Sequence, residues 1–401
     1  MTLIDDLRSA GLTGRGGAAF STAVKVAAAY DNGAALIVNA CDGELGAAKD
    51  AFVVAAHLGE LVEGARLVTR GSGRIRYAAH RGSDTETRLI AAGLDVLDVP
   101  SRYVSSEETA VISLATKGLA RPMTKRAPFV GGGRDSRGRR IPPTVVLNAE
   151  TVWRIAQIAA YGPDWFRAQG TPAEPGPRLV TIGGAVPRPG VLETAAGMPL
   201  TTLLAAAGGM PSGAGYLWVG GLGGVLMPAA DVPRLRWSSA DLAAYGGSVG
   251  PGVIDVLDPR ECPVEYVDRM LTYAAGESAG QCGPCMFGLP AIAADWHDLA
   301  AVRPGNRATV ESRLTQRLAL VPGRGACRFP DGVARFAASA HRQLSDHLAA
   351  HAEGHCPTSP THAGPTHAGP TYPGPTYAGP TYSNSPVTPV AESTSRSSRV
   401  V

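Results

Sequence analysis

The sequence lacks the features that would place the chain in a membrane or on a nucleic acid. It contains no run of about 18 apolar residues, so no helix is expected to span a bilayer unaided. Asp5 and Asp6 stand where a secretory signal would be basic and then apolar. The formal charge is only +3, too small an excess for binding nucleic acid or an anionic membrane. We therefore expect a cytoplasmic protein without a membrane span of its own.

Cysteine is also scarce, with six residues in a chain of 401. So few thiols in a long chain without secretory features argue for metal binding or redox chemistry rather than for disulfides. Hydrophobic residues make up 44% and charged residues 18% of the sequence, which is enough apolar surface for packed cores. At roughly 150 residues per domain, the length predicts two or three domains.

The first part of the chain alternates strand-like and helix-like segments. Short apolar runs such as ALIVNAC (35–41) and TVVLNA (144–149) have the length and composition of buried strands. Strands that alternate with helices predict an α/β domain with a mostly parallel sheet. A Pro/Gly/Thr linker, GTPAEPGP (170–177), ends this part.

Three further regions follow the linker. Strand-like and helix-like pieces predict a small α+β unit, and apolar residues at helical spacing after residue 263 predict a helical region. From residue 358 a five-residue repeat of Thr, Gly and Pro can bury no core, which predicts a disordered tail. The predicted domains are 1–169, 177–232, 233–357 and 358–401.

The strongest local signal is a group of three cysteines. Cys282 and Cys285 form a C-x-x-C pair within GESAGQCGPCMFG, and Cys327 follows 42 residues later inside another turn. Two close thiolates and a distant one suit an iron–sulfur cluster or zinc. The pair by itself is also compatible with a dithiol redox site or with an unliganded structural pair.

The cysteine segment resembles the cluster-binding signature E-S-C-G-x-C-x-P-C-R-x-G of the NADH-oxidising flavoprotein of respiratory complex I, which is its F subunit in bacteria. The resemblance implies that Cys282, Cys285 and Cys327 bind a 4Fe–4S cluster. Ala279 stands where the family has its first cysteine, and Met286 replaces an arginine. Because alanine cannot ligate iron, the cluster would be 3Fe–4S, or 4Fe–4S with water or another side chain on its fourth iron.

Two other groups of residues are candidates for metal binding. Cys262 and Cys356 lie outside the signature and are alternatives for the missing fourth ligand. His347, His351 and His355 recur every four residues and could share one helix face, either as a metal site or as an exposed helix end.

A glycine-rich loop, GLTGRGGAAFSTAVKV, resembles the segment that holds FMN in the same family. Its glycines would bring backbone N–H groups close to a phosphate or a ring, and the following helix would favour an anion. Similar segments follow at NACDGELGAAKD, RYVSSEETAVISLATKG, RPMTKRAPF and PPTVVLNAET. The cofactor-binding residues implied by the resemblance are Gly14, Gly16, Phe20, Lys25, Asn39, Asp42, Glu44, Tyr103, Glu107, Glu108, Phe129, Asn148 and Thr151.

Some positions in these segments depart from the family or allow a second interpretation. Val26 replaces a tryptophan and Ala28 a phenylalanine, which should weaken nucleotide binding by about 1–3 kcal/mol for each lost stacking platform. Cys41 is either a reactive thiol near the flavin or a small buried residue at a strand end. Ser105 and Glu108 also have the spacing of a helix capping box.

The resemblance extends over residues 11–345 and implies a complete architecture. An N-terminal α/β domain would bind FMN, a ubiquitin-like β-grasp domain would lie in the middle, and a C-terminal helical domain would bind the iron–sulfur cluster. The implied protein is an NADH dehydrogenase-type oxidoreductase subunit, in which electrons pass from NAD(P)H through FMN to the cluster. A partner would take them onward: a ferredoxin-like or thioredoxin-like iron–sulfur subunit, or a membrane reductase that holds the protein at the membrane.

Two other functions remain open from the sequence. A degenerate paralogue, without NADH or flavin activity, would conduct electrons through its cluster or brace a complex. A ligand-binding module would act through the β-grasp domain and would contain neither iron nor flavin.

Overall fold

The computed structural model describes residues 2–71, 73–125, 127–301 and 306–358. The predicted tail, 358–401, lies outside the described residues apart from Thr358, and so does Arg126. None of the helices in the described part of the chain is both long and apolar enough to cross a lipid bilayer.

The N-terminal region is built on a four-stranded parallel sheet, as the alternating segments predict. The strand order is β3-β2-β1-β6, and β1 and the edge strand β6 are buried over most of their length, as expected where helices cover a sheet. Its elements are α1 (Leu3–Ala10), α2 (Thr22–Asn32), β1 (Ala35–Asn39), α3 (Lys49–Ala56), α4 (Leu58–Val68), β2 (Ile75–His80), α5 (Asp84–Ala91), β3 (Val96–Val99), α6 (Glu108–Lys117), β4 (Gly133–Arg134), β5 (Arg140–Ile141), β6 (Thr144–Asn148) and α7 (Ala149–Arg167).

The strand order creates a crevice at one edge of this sheet. The chain moves from β1 outward to β2 and β3 on one side, and later returns to place β6 on the other side of β1. In such sheets, ligands bind beyond the carboxyl ends of the strands, at the point where the order reverses. Asn39 and Asn148 end β1 and β6 and are partners in the strand register, so two amide side chains lie together at this point.

The middle region is a five-stranded sheet in the order β10-β9-β11-β7-β8. Its elements are β7 (Pro177–Gly184), β8 (Gly190–Ala195), α8 (Leu200–Ala206), β9 (Tyr216–Val219), β10 (Val225–Pro228), α9 (Ser239–Leu242) and β11 (Val253–Val256). The central strand, β11, lies beyond the predicted boundary at residue 232, and it pairs with β7 in parallel and with β9 antiparallel. The sheet therefore extends to Val256, whereas the other domain boundaries stay predictions.

The C-terminal region is helical. Val264, Val267, Met270 and Leu271 are buried in its core, as their spacing predicts, and a short π-helical turn (Pro284–Gly288) precedes α11. The helices are α10 (Pro263–Gly276), α11 (Leu289–Ala300), α12 (Arg307–Leu320), α13 (Phe329–Gln343) and α14 (Ser345–Ala352). The predicted fold class, an α/β domain followed by a β-grasp-like domain and a helical domain, is confirmed.

Candidate functional site

A cavity of about 880 Å³ lies at the crevice where β1 and β6 end. All three regions of the chain line it. The N-terminal region contributes the glycine loop, the segment after β1 and the segment before α6, while the middle region contributes glycines near residues 220 and 250. The C-terminal region contributes residues between 323 and 335, among them Cys327. The volume lies near the upper end of the range for small-molecule pockets, roughly 300–1,000 Å³.

Twelve of the thirteen predicted cofactor-binding residues line this cavity. They are Gly14, Gly16, Phe20, Lys25, Asn39, Asp42, Glu44, Tyr103, Glu107, Glu108, Asn148 and Thr151. Phe129 does not: it is buried in the core beside the sheet, in a cluster with Ile37 and Ile112. Cys41 belongs to the same core cluster, which agrees with the interpretation of a small buried residue at a strand end.

Val26, which stands where the resemblance implies a tryptophan, lies away from the cavity wall. Val26 is fully buried in the N-terminal core and does not line the cavity. The aromatic side chains on the wall are Phe20, Tyr103 and Phe329. The weaker nucleotide binding that was predicted from the missing aromatic side chain at residue 26 therefore does not apply.

The glycine loop forms an open wall with hydrogen-bonding groups behind it. Gly14 and Gly16 do not have left-handed backbone, and a Cβ on either would make only ordinary contacts with the protein. Their missing side chains therefore serve to keep space for a ligand. The Thr22 hydroxyl at the start of α2 is buried on this wall and has no hydrogen-bond partner among the described residues. Such a wall fits a phosphate-bearing group like FMN.

A buried charged network supports the floor of the cavity. The Lys49 ammonium group donates to Asp50 Oδ1 at 2.8 Å and to Asn148 Oδ1 at 2.7 Å, and Glu150 Oε2 lies 3.7 Å away. The Asn148 amide donates back to both oxygens of Asp50. Burial lowers the pKa of Lys49, but the surrounding carboxylates outweigh burial and raise it above its ordinary value. Lys49 and Asp50 were not among the predicted site residues.

Asp42 connects the cavity to the start of α3. Its two carboxylate oxygens accept hydrogen bonds from the backbone N–H groups of Asp50 and Ala51, at 2.9 and 2.7 Å. The residue has left-handed backbone, with φ of 46°, which a short polar side chain tolerates best. Burial, and then the charge of Asp50, raise the pKa of Asp42 to about 7.

Glu44 joins the N-terminal and middle regions at the cavity. It accepts hydrogen bonds from the Tyr103 hydroxyl at 2.6 Å and from the Leu222 backbone N–H at 2.6 Å. Gly221 leaves room for it, since a Cβ there would lie 2.1 Å from the Glu44 carboxyl carbon. The Tyr103 ring in turn packs on Phe329, with 4.8 Å between ring centroids. Burial raises the pKa of Glu44 to about 7.

We expect Glu44→Gln to change how stability depends on pH. In the folded protein the pKa of Glu44 is about 7, above its ordinary 4.5, so the folded state holds a proton that the unfolded state releases. The free energy of unfolding of the wild type should therefore fall by about 2 kcal/mol, relative to the variant, between pH 5 and 7. Denaturant titrations of both proteins between pH 5 and 7 measure the two free energies of unfolding. If the difference between them did not change with pH, the raised pKa of Glu44 would be contradicted.

Glu107 and Glu108 have different environments at the start of α6. Glu107 caps the helix, because its carboxylate accepts from the backbone N–H groups of Thr109 and Ala110. The predicted capping box of Ser105 and Glu108 is therefore wrong, since the cap lies two residues after Ser105. Burial raises the pKa of Glu107.

Glu108 lies between two lysines that line the cavity with it. Lys125 is 2.7 Å and Lys25 is 3.6 Å from its carboxylate. Burial acts to raise the pKa of Glu108, but the two lysines outweigh burial and hold this pKa below its usual value. These charges are partly exposed and can exchange partners with an incoming charged ligand.

The three signature cysteines interact with one another beside the cavity. Burial, and then the neighbouring Cys282 thiol, raise the pKa of Cys285 to about 12. Burial raises the pKa of Cys327 to about 11, and the charges of Glu107 and Cys282 contribute. Neighbouring thiolates repel each other unless a cation lies between them, so this donor set, in which Cys285 is buried and Cys282 and Cys327 are partly exposed, fits a cluster of iron and sulfide. Cys327 also lines the cavity.

The position of the missing ligand is occupied by Ala279. Its backbone N–H donates a hydrogen bond to the Cys285 sulfur, so its methyl group stands at the cysteine group and offers no ligand. Cys262 lies at the other end of α10, a helix of 14 residues and hence about 21 Å long. Cys262 and Cys356 are instead close to each other and to His351. Neither of them is in place to supply the fourth ligand.

Glu277, the first residue of the signature, holds the cysteine loop against the cavity wall. Its carboxylate accepts from the Tyr103 backbone N–H at 2.8 Å and from Arg102 Nε at 3.1 Å. Arg102 also donates to the carbonyl of Gly276. The sequence signature begins with this glutamate but predicts no role for it, because its partners are more than 170 residues away in the chain.

Comparisons with known proteins agree with this geometry. The model of the Nuo51 FMN-binding domain matches residues 7–157, that of the SLBB domain matches residues 179–228, and that of the NADH-ubiquinone oxidoreductase-F iron-sulfur binding region matches residues 265–351. The F subunit of the NADH-quinone oxidoreductase of Mycobacterium tuberculosis is 28% identical, over 89% of this chain and 86% of the relative. The F subunit of the Rickettsia bellii NADH-quinone oxidoreductase is 30% identical, over 71% and 75%.

A solved structure is similar as well. A chain of the NAD+-reducing [NiFe]-hydrogenase in the H2-reduced state superposes with a TM-score of 0.73 at 29% identity. The match covers 90% of the present chain but only 63% of the hydrogenase chain. The family predicted from the sequence is thus confirmed: the chain belongs to the family of NADH-quinone oxidoreductase F subunits.

Proposed function

We propose that the protein is an electron-transfer subunit that oxidises NADH and passes the electrons to a partner. FMN supplies the chemistry that joins two-electron hydride transfer to the one-electron transfer of an iron–sulfur cluster. The family models include an FMN-binding domain and an iron–sulfur binding region of this kind. The protein contributes by binding both groups and fixing their separation.

The observation that carries this proposal is the position of Cys327. This cysteine lines the same cavity as the glycine loop and also belongs to the group formed with Cys282 and Cys285. A flavin in the cavity and a cluster on the cysteines would therefore be neighbours. Such proximity is what electron transfer between them requires.

The residues of the cavity have separate tasks in this proposal. The glycine loop and Thr22 would bind the flavin phosphate or ring edge, and the network around Lys49 would keep the floor rigid. Glu108, Lys25 and Lys125 lie where a charged nucleotide would enter. Phe20, which is half exposed at the cavity, offers a face for a nicotinamide or adenine ring.

The experiment that tests this function uses protein purified without oxygen. We expect FMN, iron and acid-labile sulfide in the same preparation, and NADH-dependent reduction of ferricyanide. Iron without flavin, and no NADH activity, would favour the degenerate paralogue. Absence of both iron and flavin would favour a ligand-binding module.

Gly16→Val should remove flavin without unfolding the chain. A side chain at residue 16 would project from the open wall, and its first contact with the protein is an ordinary one, 3.5 Å from the Asn148 Cβ. FMN released by acid should fall at least about tenfold, the effect of about 1.4 kcal/mol in binding. Gly59→Val, on the exposed face of α4 with nothing nearby, is the matched control. Unchanged FMN in the Gly16 variant would show that the loop does not hold the flavin.

The cluster is proposed to be 4Fe–4S with three cysteine ligands and one iron bound by water or another group, or else 3Fe–4S. The three thiols and Ala279 are compatible with both clusters. The partner is proposed to be a ferredoxin-like or thioredoxin-like iron–sulfur subunit, or a membrane reductase that would hold this cytoplasmic protein at the membrane. Met286 and Phe287, directly after Cys285, are 52% and 71% exposed, and exposed apolar pairs of this kind support docking of another protein beside the cluster.

A further inference from the structure

Three buried side chains form a second group of metal ligands in the C-terminal region. Cys262, His351 and Cys356 are 4%, 0% and 2% exposed. Their sulfur and nitrogen atoms all lie within 4.8 Å of one another. Among the described residues this is the one group of three or more potential ligands at such short range. None of the three residues lines the flavin cavity.

The distances agree with tetrahedral coordination. Cys262 Sγ lies 3.5 Å from His351 Nε2. A tetrahedral zinc ion with Zn–S of about 2.3 Å and Zn–N of about 2.0–2.1 Å separates a sulfur and a nitrogen ligand by about 3.5 Å. The two atoms are therefore already at the spacing that a shared zinc ion would impose.

The histidine is oriented as a metal ligand. Its Nδ1 lies 2.8 Å from the carbonyl oxygen of Ala300, and a carbonyl can only accept, so Nδ1 carries the proton. Nε2 is then left with its lone pair, and this is the atom that faces Cys262. A carbonyl that fixes the ring in this way is the usual support of a histidine bound to metal.

The group joins segments that are far apart in the sequence. Cys262 precedes α10, His351 lies in α14, Cys356 follows α14, and Ala300 ends α11. A metal at this point would tie the end of the described chain to two core helices. It would be separate from the signature cysteines, which lie beyond the far end of α10.

We propose that Cys262, His351 and Cys356 bind a zinc ion that stabilises the helical domain. Two thiolates and an imidazole are ligands that zinc prefers, and a fourth position remains for water or another ligand. The site is independent of the proposed redox function. It draws one ligand, His351, from the predicted histidine series and two from the cysteines outside the signature. The series does not share one helix, because α14 ends at Ala352, before His355.

The test counts zinc and iron in full-length protein produced with both metals and purified without oxygen. Wild type should contain about one zinc per chain besides its iron. Cys356→Ser and His351→Ala should lose the zinc but keep the iron, whereas Cys285→Ser should lose the iron but keep the zinc. His355→Ala, an exposed imidazole in the same segment, should keep both metals.

X-ray absorption at the zinc edge provides a second measurement on the wild type, which stays informative if a variant fails to fold and loses both metals. We expect two sulfur ligands and at least one nitrogen ligand. Wild type without zinc, a zinc content unchanged in Cys356→Ser, or a Cys262–Cys356 disulfide detected by mass spectrometry would each overturn the proposal.

Discussion

Cys285→Ser is expected to remove the iron–sulfur cluster while the protein keeps its flavin. Cys285 is buried, interacts with the other two cysteines and accepts a hydrogen bond from the backbone of Ala279. Because Ala279 stands in place of the family's first cysteine, only three thiolates would hold the proposed cluster. A serine hydroxyl is a poor substitute for thiolate, so loss of one ligand should reduce iron and sulfide to background.

The flavin should remain because Cys285, unlike Cys327, does not line the cavity. Electrons from NADH should then reach a small oxidant such as ferricyanide directly from the flavin but should no longer reach a protein partner. Iron, sulfide and FMN contents, with electron paramagnetic resonance of the reduced protein, measure the effect. Cys41→Ala replaces a buried cysteine outside both cysteine groups and should retain its iron. A normal cluster signal in Cys285→Ser would mean that this thiol is not a ligand.

The sequence predicted the N-terminal sheet well because its strands are short, apolar and separated by helices. Leu36, Ile37 and Val38 are buried in the structure, as expected for a strand covered on both faces. Strand β11 was missed as part of the middle sheet because it has only four residues and follows a glycine-rich stretch. Its partners, β7 and β9, are defined by long-range pairing that a local pattern cannot reveal.

The sequence likewise predicted one part of the candidate site correctly and another part wrongly. Glycines and polar residues at the ends of strands could be assigned from their resemblance to a family, and twelve of thirteen meet at one cavity. Phe129 was assigned on the same ground but packs in the core, since an aromatic residue in a motif can serve either purpose. At Ser105–Glu108 the spacing predicted a capping box, whereas the backbone geometry places the cap at Glu107.

Sequence patterns could show neither which charged residues are buried nor which cysteines lie close enough to ligate the cluster. Lys49 and Asp50 resemble exposed residues at the start of a helix, because lysine and aspartate are rarely buried. Cys262 and Cys356 were candidates for the cluster because the sequence shows that they are cysteines. It does not show that α10 separates Cys262 from the signature cysteines. Their proximity to His351 depends on how α14 packs at the ends of α10 and α11.

Lys49→Met should cause a large loss of stability. Lys49, Asp50 and Glu150 are 2%, 3% and 1% exposed, and Lys49 is the cation between the two carboxylates. Removing it leaves two negative charges buried without their partner, which typically costs about 3–5 kcal/mol. The effect should reach the middle region, because Glu150 also accepts a hydrogen bond from the backbone of Leu179 in β7.

Denaturant unfolding of the wild type and the variant, each with and without excess FMN, measures this loss and separates it from any change in flavin affinity. Arg8→Met removes an exposed ion pair with Asp5 and should cost less than about 1 kcal/mol. Adding Asp50→Asn to Lys49→Met removes one of the stranded charges, so the double variant should be more stable than Lys49→Met by about 1–2 kcal/mol. Equal stability of Lys49→Met and Arg8→Met would mean that the network contributes no more than a surface pair. If the double variant is more stable than Lys49→Met, the lost stability comes from the unpaired buried charges, because the second substitution restores no packing and only removes the repulsion.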